Sequence, residues 1–167
     1  MVKNNNIHNE SQVWDLLKEV EDPEIPVLSV VDMGVIRSVS LHDNQVSVTI
    51  TPTYSGCPAM KTIEEDIREV LNEQDFDQVE VLTVLAPAWT TDWMSEEGKV
   101  KLQEYGIAPP EHSTADKAAL MGIEKTVTCP RCKSKNTVMV SQFGSTACKA
   151  LWKCKDCLEP FDYFKCI

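Results

Sequence analysis

Two pairs of cysteines near the C-terminus constrain the fold more than any other feature of the sequence. Cys129 and Cys132 form one C-x-x-C pair, and Cys154 and Cys157 form a second pair after 21 intervening residues. Two residues between thiols allow one tight turn to present both sulfurs to one ion, and two such turns close a tetrahedral site. A segment of about forty residues is too small to fold stably without such a staple. We therefore predict a zinc ribbon with one structural zinc ion.

The remaining cysteines of this segment leave two interpretations open. Cys148 and Cys166 are either small packed residues or ligands of a second, labile metal or cluster. Four thiolates favour zinc over rubredoxin-like iron or a redox dithiol pair. The seven cysteines are an odd number, and the polar N-terminus has no export signal, so we expect reduced thiols in the cytoplasm.

Residues 10–106 have the periodicities of a small α+β domain. Apolar positions predict an amphipathic helix over 10–21 that ends before Pro23. Two runs rich in β-branched residues, 35–41 and 45–51, predict a hairpin. A helix over 58–74, a strand over 78–85 and a helix over 95–105 follow, giving the order α-β-β-α-β-α. Residues 107–124 are expected to form a linker, and residues 125–167 the ribbon with strands at 137–143, 150–153 and 161–165.

The charge is divided unevenly along the chain. Residues 1–110 contain 7 basic and 20 acidic residues, whereas residues 125–167 contain 8 basic and 3 acidic residues. An acidic first domain argues against nucleic acid as a partner. No apolar run has the length needed to span a bilayer, so no membrane is expected either.

Cys57 is the candidate working thiol of the first domain. It stands immediately before Pro58, a residue that suits the first turn of a helix. The positive end of a helix dipole and free backbone N–H groups lower the pKa of a thiol there, which favours a nucleophile or soft metal ligand. Thr51, Thr53, Tyr54 and Ser55 supply hydroxyl groups nearby. From residue type alone, an inert packed cysteine is an equal alternative.

Three segments of the first domain resemble the SufT-like family of iron–sulfur cluster assembly proteins. They are D-P-E-I-P at 22–26, V-D-M-G-V-I at 31–36 and T-P-T-Y-S-G-C-P at 51–58. The resemblance implies a small α+β fold. It also implies that Cys57 handles iron or a cluster transiently, with Asp22, Glu24 and Asp32 in the family's acidic motif.

The C-terminal half resembles the PaaD family. The matching segments are residues 141–151 and 159–166, fused to the first module in the same order. These proteins are accessory subunits encoded with the phenylacetyl-CoA epoxidase of aerobic phenylacetate degradation. The resemblance implies the oxygenase and reductase subunits as partners, and it makes Cys129, Cys132, Cys154 and Cys157 the zinc ligands.

The sequence lacks the motifs of the enzymes in such a system. None of the three histidines has Glu three residues before it, so the di-iron motif is missing, and there is no G-x-G-x-x-G or P-loop. We expect no catalysis. Two hypotheses remain: an assembly factor in which Cys57 carries a cluster, or a structural subunit that stabilises the oxygenase. A single cysteine cannot hold a cluster alone, so the first hypothesis requires a homodimer, borrowed thiols or handover through an open coordination position. A loop with Trp89 and Trp93 is either a docking surface or part of the core.

Overall fold

The chain folds into two compact units, residues 1–89 and residues 90–167, in a computed structural model that describes residues 9–110 and 126–165. Helices and strands alternate in the first unit as α-β-β-α-β. Its elements are α1 (Glu10–Leu17), β1 (Ile36–His42), β2 (Gln45–Ile50), α2 (Ala59–Asn72) and β3 (Gln78–Thr83).

The sheet of the first unit has the order β1-β2-β3. β1 and β2 form the expected antiparallel hairpin, and its turn residues Asp43 and Asn44 both have positive φ, as tight hairpin turns require. β3 runs parallel to β2, with Val48 opposite Val81. A parallel neighbour needs a crossover connection, and α2 provides it.

The apolar faces of α2 and β2 supply much of the core of this unit. Ile63, Ile67 and Leu71 recur at helical spacing and are almost fully buried. Alternate residues of β2, such as Val48 and Ile50, are fully buried because successive strand residues point to opposite faces. α2 packs against β3, and α1 packs against α2 and β1.

Two details differ from, or decide between, the sequence-based expectations. α1 ends at Leu17 rather than at residue 21, because the chain turns into a bridge between Glu21 and Ser29. Trp89 is only 4% exposed, and its Nε1–H donates to the carbonyl of Met33 at 3.0 Å. Trp89 is therefore a core residue, whereas Trp93 is half-buried.

In its described residues, the second unit contains a 3₁₀ turn, one helix and a three-stranded sheet. The Ser95 hydroxyl caps the helix by accepting from the N–H of Gly98, and Gly106 ends it with φ of 93°. The sheet is antiparallel in the order β4-β5-β6. The elements are the 3₁₀ turn (Thr91–Trp93), α3 (Glu96–Tyr105), β4 (Thr137–Ser141), β5 (Lys149–Cys154) and β6 (Pro160–Phe164).

The start of the predicted linker is part of this unit. Ile107 and Ala108 are buried, and Ala108 forms a parallel bridge with Tyr163 of β6. The rest of the predicted linker, from residue 111 on, lies outside the described residues, so the domain boundaries remain predictions. Among the described residues, every helix is too short or too polar to cross a membrane.

Candidate metal centre and Cys57 loop

The four cysteines of the two C-x-x-C pairs converge on one point. Their sulfurs all lie within 4.8 Å of one another. The Sγ atoms of Cys129 and Cys157 are 3.8 Å apart, and those of Cys132 and Cys154 are 3.5 Å apart. A tetrahedron with Zn–S bonds of about 2.3 Å has edges of about 3.8 Å. The donor set and its spacing therefore fit a tetrahedral zinc ion.

The two turns that carry the cysteines repeat the same backbone design. The first cysteine of each turn donates its N–H to the carbonyl five residues later: Cys129 to Ser134 and Cys154 to Glu159, both at 2.9 Å. The residue after the second cysteine has positive φ in both turns, and in neither is it glycine. In each turn, this hydrogen bond and this positive φ therefore fix the backbone that positions the two cysteines. The two positive-φ residues are Lys133 (63°) and Leu158 (64°).

Polar side chains connect one turn to the other. Arg131 forms an ion pair with Glu159 at 2.6 Å. Asp156 accepts hydrogen bonds from the Ser134 hydroxyl and, at 2.7 Å, from the Asn136 amide. These two donors hold the pKa of Asp156 below its usual value. The two turns are consequently linked even by groups that do not contact the ion.

The sequence analysis did not predict this set of connecting residues. Ser134, Asn136 and Asp156 carry no recognisable motif, since polar residues are common in turns. The sequence offers one signal, the position of Asp156 inside the second C-x-x-C pair. Once the ribbon has folded, a carboxylate at that position faces the donors of the opposite turn.

Hydrogen bonds favour the thiolate form of Cys154, whereas the pKa values of Cys132 and Cys157 are raised by desolvation and by the neighbouring sulfurs. The N–H of Cys157 points to the Sγ of Cys154 at 3.5 Å, and this donor lowers the pKa of Cys154 to about 7. Cys129 and Cys154 are fully buried, whereas Cys132 is exposed. Four protein ligands leave no open coordination position, so a zinc ion held here would be structural and would supply no substrate site.

The structure describes one of the two other cysteines of the ribbon, Cys148. Cys148 is 4% exposed, and its sulfur lies 3.0 Å from the Thr146 hydroxyl. This is the environment of a packed thiol. Cys166 lies outside the described residues. Among residues 9–110 and 126–165, the four ribbon cysteines are the one group of three or more side chains that could share a metal ion.

Cys57 lies in the loop that leads into α2. It directly precedes Pro58, which is the N-cap, and α2 has no side-chain cap. The N–H of Cys57 donates to the carbonyl of Tyr54 at 3.2 Å, and its carbonyl accepts from Met60 at 3.3 Å. Both backbone groups are occupied, so the loop fixes the position of the residue while its side chain stays partly exposed.

The hydroxyl residues expected beside Cys57 are mostly buried. Thr51 is 1% exposed and Thr53 8% exposed, whereas Ser55 is exposed. Among the described residues, the Thr51 hydroxyl has no hydrogen-bond partner. Gly56 has φ of 84°, a conformation that other residues adopt with strain. The surface next to Cys57 is therefore formed by the small residues Ser55 and Gly56.

The acidic residues of the predicted motif stabilise their own loop. The Asp22 carboxylate accepts from the N–H groups of Glu24 and Ile25, both at 2.8 Å. Asp32 and Ser29 bond to each other's backbone: the Ser29 hydroxyl accepts from the N–H of Asp32 at 3.0 Å. Asp22 and Asp32 are buried and Glu24 is half-buried. These contacts are structural, and a role in cluster binding stays a prediction.

Comparisons with known proteins match both halves of the chain. Residues 113–165 match the sequence model of the PaaD zinc beta ribbon domain, and residues 10–83 match that of the iron-sulfur cluster assembly protein family. The chain is 47% identical over 156 residues to an Escherichia coli K12 protein that is named as a subunit of a "Putative 1,2-phenylacetyl-CoA epoxidase". This match covers 93% of the chain and 92% of the relative.

Shorter relatives match the first unit. A Porphyromonas gingivalis protein named Fe-S protein maturation auxiliary factor is 37% identical over 103 residues, 60% of this chain and 97% of that protein. The crystal structure of a domain of unknown function, DUF59, from Bacillus anthracis has a TM-score of 0.51 and 31% identity. That match covers 56% of this chain and 90% of the other.

Proposed function

Because this chain belongs to the PaaD family, whose Escherichia coli relative is named as part of a phenylacetyl-CoA epoxidase, we propose that it is an accessory factor of such an epoxidase. In this proposal it is not an enzyme itself. Cys57 transiently binds iron or an iron–sulfur cluster and delivers it to the reductase or oxygenase subunits. The zinc ribbon is the permanent structural module.

The position of Cys57 carries this proposal. Its backbone is fixed by two hydrogen bonds, its side chain is partly exposed, and its exposed neighbours Ser55 and Gly56 leave room for a ligand. A soft thiolate held in this way can bind iron and release it again. The match of residues 10–83 to an iron-sulfur cluster assembly family supports the same chemistry.

The rest of the coordination sphere has to come from elsewhere. Iron–sulfur clusters generally take four protein ligands, and Cys57 supplies one. The four ribbon cysteines are engaged with one another, so they are poor candidates for transient ligands. The missing ligands come from the Cys57 of a second copy, from Cys148 or Cys166, or from the recipient protein at the moment of handover.

A non-catalytic structural subunit is the second candidate function. In that case the chain stabilises the oxygenase complex and Cys57 is only a packed residue. An observation that favours this function is the exposed apolar strand β4, in which Val138, Met139 and Val140 are 40%, 51% and 57% exposed. Such a strand is suited to permanent association.

The two functions separate when the epoxidase subunits are produced together with variants of this chain. With Cys57→Ser we expect the iron content and ring-epoxidising activity of the purified complex to fall toward the level seen without the chain. Ser55→Ala, an exposed residue of the same loop, is the matched control. Full iron content and activity with Cys57→Ser would reject delivery by Cys57 and favour the structural function.

A further inference from the structure

The outer edge of β4 is unusual for a sheet in a folded protein. The three central residues of the strand are all substantially exposed, between 40% and 57%. The register shift between Met139 and Ser141 interrupts the regular pairing at Val140, because an extra residue is accommodated there. Thr137–Ser141 contains no charged residue and no proline, the devices that normally protect a strand edge.

The other edges of the two sheets are protected. Ala108 covers the outer edge of β6: its N–H donates to Asp162 at 2.8 Å and its carbonyl accepts from Phe164 at 3.0 Å. In the first unit, the edge strands β1 and β3 carry the charged residues Arg37 and Glu80. Within the described parts of the chain, no strand pairs with the outer edge of β4. The open edge is therefore a specific feature of β4.

The charge around β4 indicates the chemistry of what covers it. Residues 132–155 contain five lysines and no acidic residue before Asp156. Lys153 is exposed and lies opposite Val138 in the sheet. Phe143, which is 59% exposed, has the Lys165 ammonium 4.2 Å from its ring centroid. Pairing with β4 of a second copy would bring these like charges together, whereas an acidic segment would compensate them.

We propose that β4 is a docking edge that takes up an extended apolar segment flanked by acidic residues, by strand addition. The backbone groups of β4 would supply the hydrogen bonds, and the exposed side chains would contact alternate residues of the added strand. The partner that this inference names is one of the epoxidase subunits, so in this respect it rests on the proposed function. Lysines beside the apolar strand would select the acidic flanks.

Binding of the full-length, zinc-loaded chain to the purified oxygenase and reductase subunits tests the proposal. The double variant Val138→Glu/Val140→Glu should raise the Kd by at least about tenfold, because like charges would face the acidic partner and the apolar contact is lost. Val100→Glu, at a position of α3 that is 54% exposed, is the matched control and should change the Kd by less than about twofold. Added salt should weaken the wild-type complex.

Two further measurements keep the outcome interpretable. If the glutamate variant loses zinc or stability, Val138→Thr/Val140→Thr keeps the β-branched shape and should still weaken binding several-fold. Unchanged Kd values for both double variants, or equal loss with Val100→Glu, would overturn the docking edge while leaving the proposed function intact. Absence of any binding by the wild-type chain to the epoxidase subunits would instead overturn the proposed function.

Discussion

The two units of this protein differ in what stabilises them, and their cysteines differ accordingly in whether they have a structural task. The first unit buries whole helix and strand faces, with residues such as Ile67 and Val48 fully buried, and it does not need a metal to hold its sheet and helices together. The ribbon has three short strands and a small cluster around Trp152 and Tyr163, and its four cysteines close the fold.

This comparison separates thiols that have a structural task from a thiol that has none. In the ribbon, we expect loss of one sulfur to abolish zinc binding and unfold the segment, so those four sulfurs have a structural role. In the first unit, Cys57 lies in a loop outside the apolar core, and a change of its sulfur has little effect on packing. A unit with a self-sufficient core can therefore carry a cysteine without a structural task at a helix start, as the proposed role of Cys57 requires.

Removal of one zinc ligand should give the largest contrast between the units. We expect Cys129→Ser to abolish zinc binding and unfold the ribbon, because structural zinc contributes on the order of 10 kcal/mol to small metal-dependent folds. Metal analysis should show no zinc, and calorimetry should show loss of one transition. The first unit should keep its helical signal in circular dichroism. A folded ribbon without zinc would break the comparison.

A cavity in the first unit should produce the reverse pattern. Ile67 is fully buried on the inner face of α2, so Ile67→Ala should cost about 2–5 kcal/mol of the free energy of unfolding of that unit. Denaturant titration monitored at the helical signal measures this loss. Zinc content should stay at the wild-type level, and a loss of zinc with this variant would show that the two units do not fold independently.

The buried indole of the first unit should make a smaller contribution. Trp89→Phe keeps most of the apolar volume but leaves the Met33 carbonyl without the hydrogen bond from Nε1. We expect a loss of about 1–3 kcal/mol in the free energy of unfolding. Leu85→Ala, at a position that is 63% exposed, should stay within about 0.5 kcal/mol and serves as the control. Equal effects of the two changes would contradict the burial of Trp89.

The polar connection between the ribbon turns should affect zinc retention more than folding. Asp156→Ala removes the acceptor for Ser134 and Asn136. We expect zinc transfer to a colorimetric chelator to become faster, by about tenfold, because such outer groups hold the ligands in position. Lys155→Ala, an exposed neighbour, should leave the rate near wild type. An unchanged rate of zinc transfer with Asp156→Ala would show that the four sulfurs retain the zinc ion without help from the polar connection.

Much of the architecture could be predicted from the sequence because periodicity and spacing are local signals. The two C-x-x-C pairs predicted the four-sulfur cluster, and the alternation in β2 and the helical spacing in α2 predicted those elements to within a few residues. The parallel pairing of β3 with β2 was not predicted, because strand order depends on the path of the intervening helix. The short α1 depends likewise on a bridge between distant residues.

The candidate site was predictable only in its cysteines. Ser134, Asn136 and Asp156 come together through the pairing of β4 with β5, which no local pattern reveals. The loop-capping contacts of Asp22 and Asp32 likewise explain acidic residues that the family resemblance had associated with cluster chemistry. The sequence pointed to the cysteines as candidates, and the fold shows structural contacts for several of the polar residues near them.

Anaerobic reconstitution with iron and sulfide tests most directly whether Cys57 binds a cluster while the four ribbon cysteines bind zinc. The zinc-loaded wild-type chain should take up iron and show visible cluster absorption, and Cys57→Ser should show neither while retaining one zinc ion per chain. Wild-type iron uptake and absorption by Cys57→Ser, or loss of its zinc, would contradict the account, because cluster binding would then belong to other sulfurs or the two sites would not be separate.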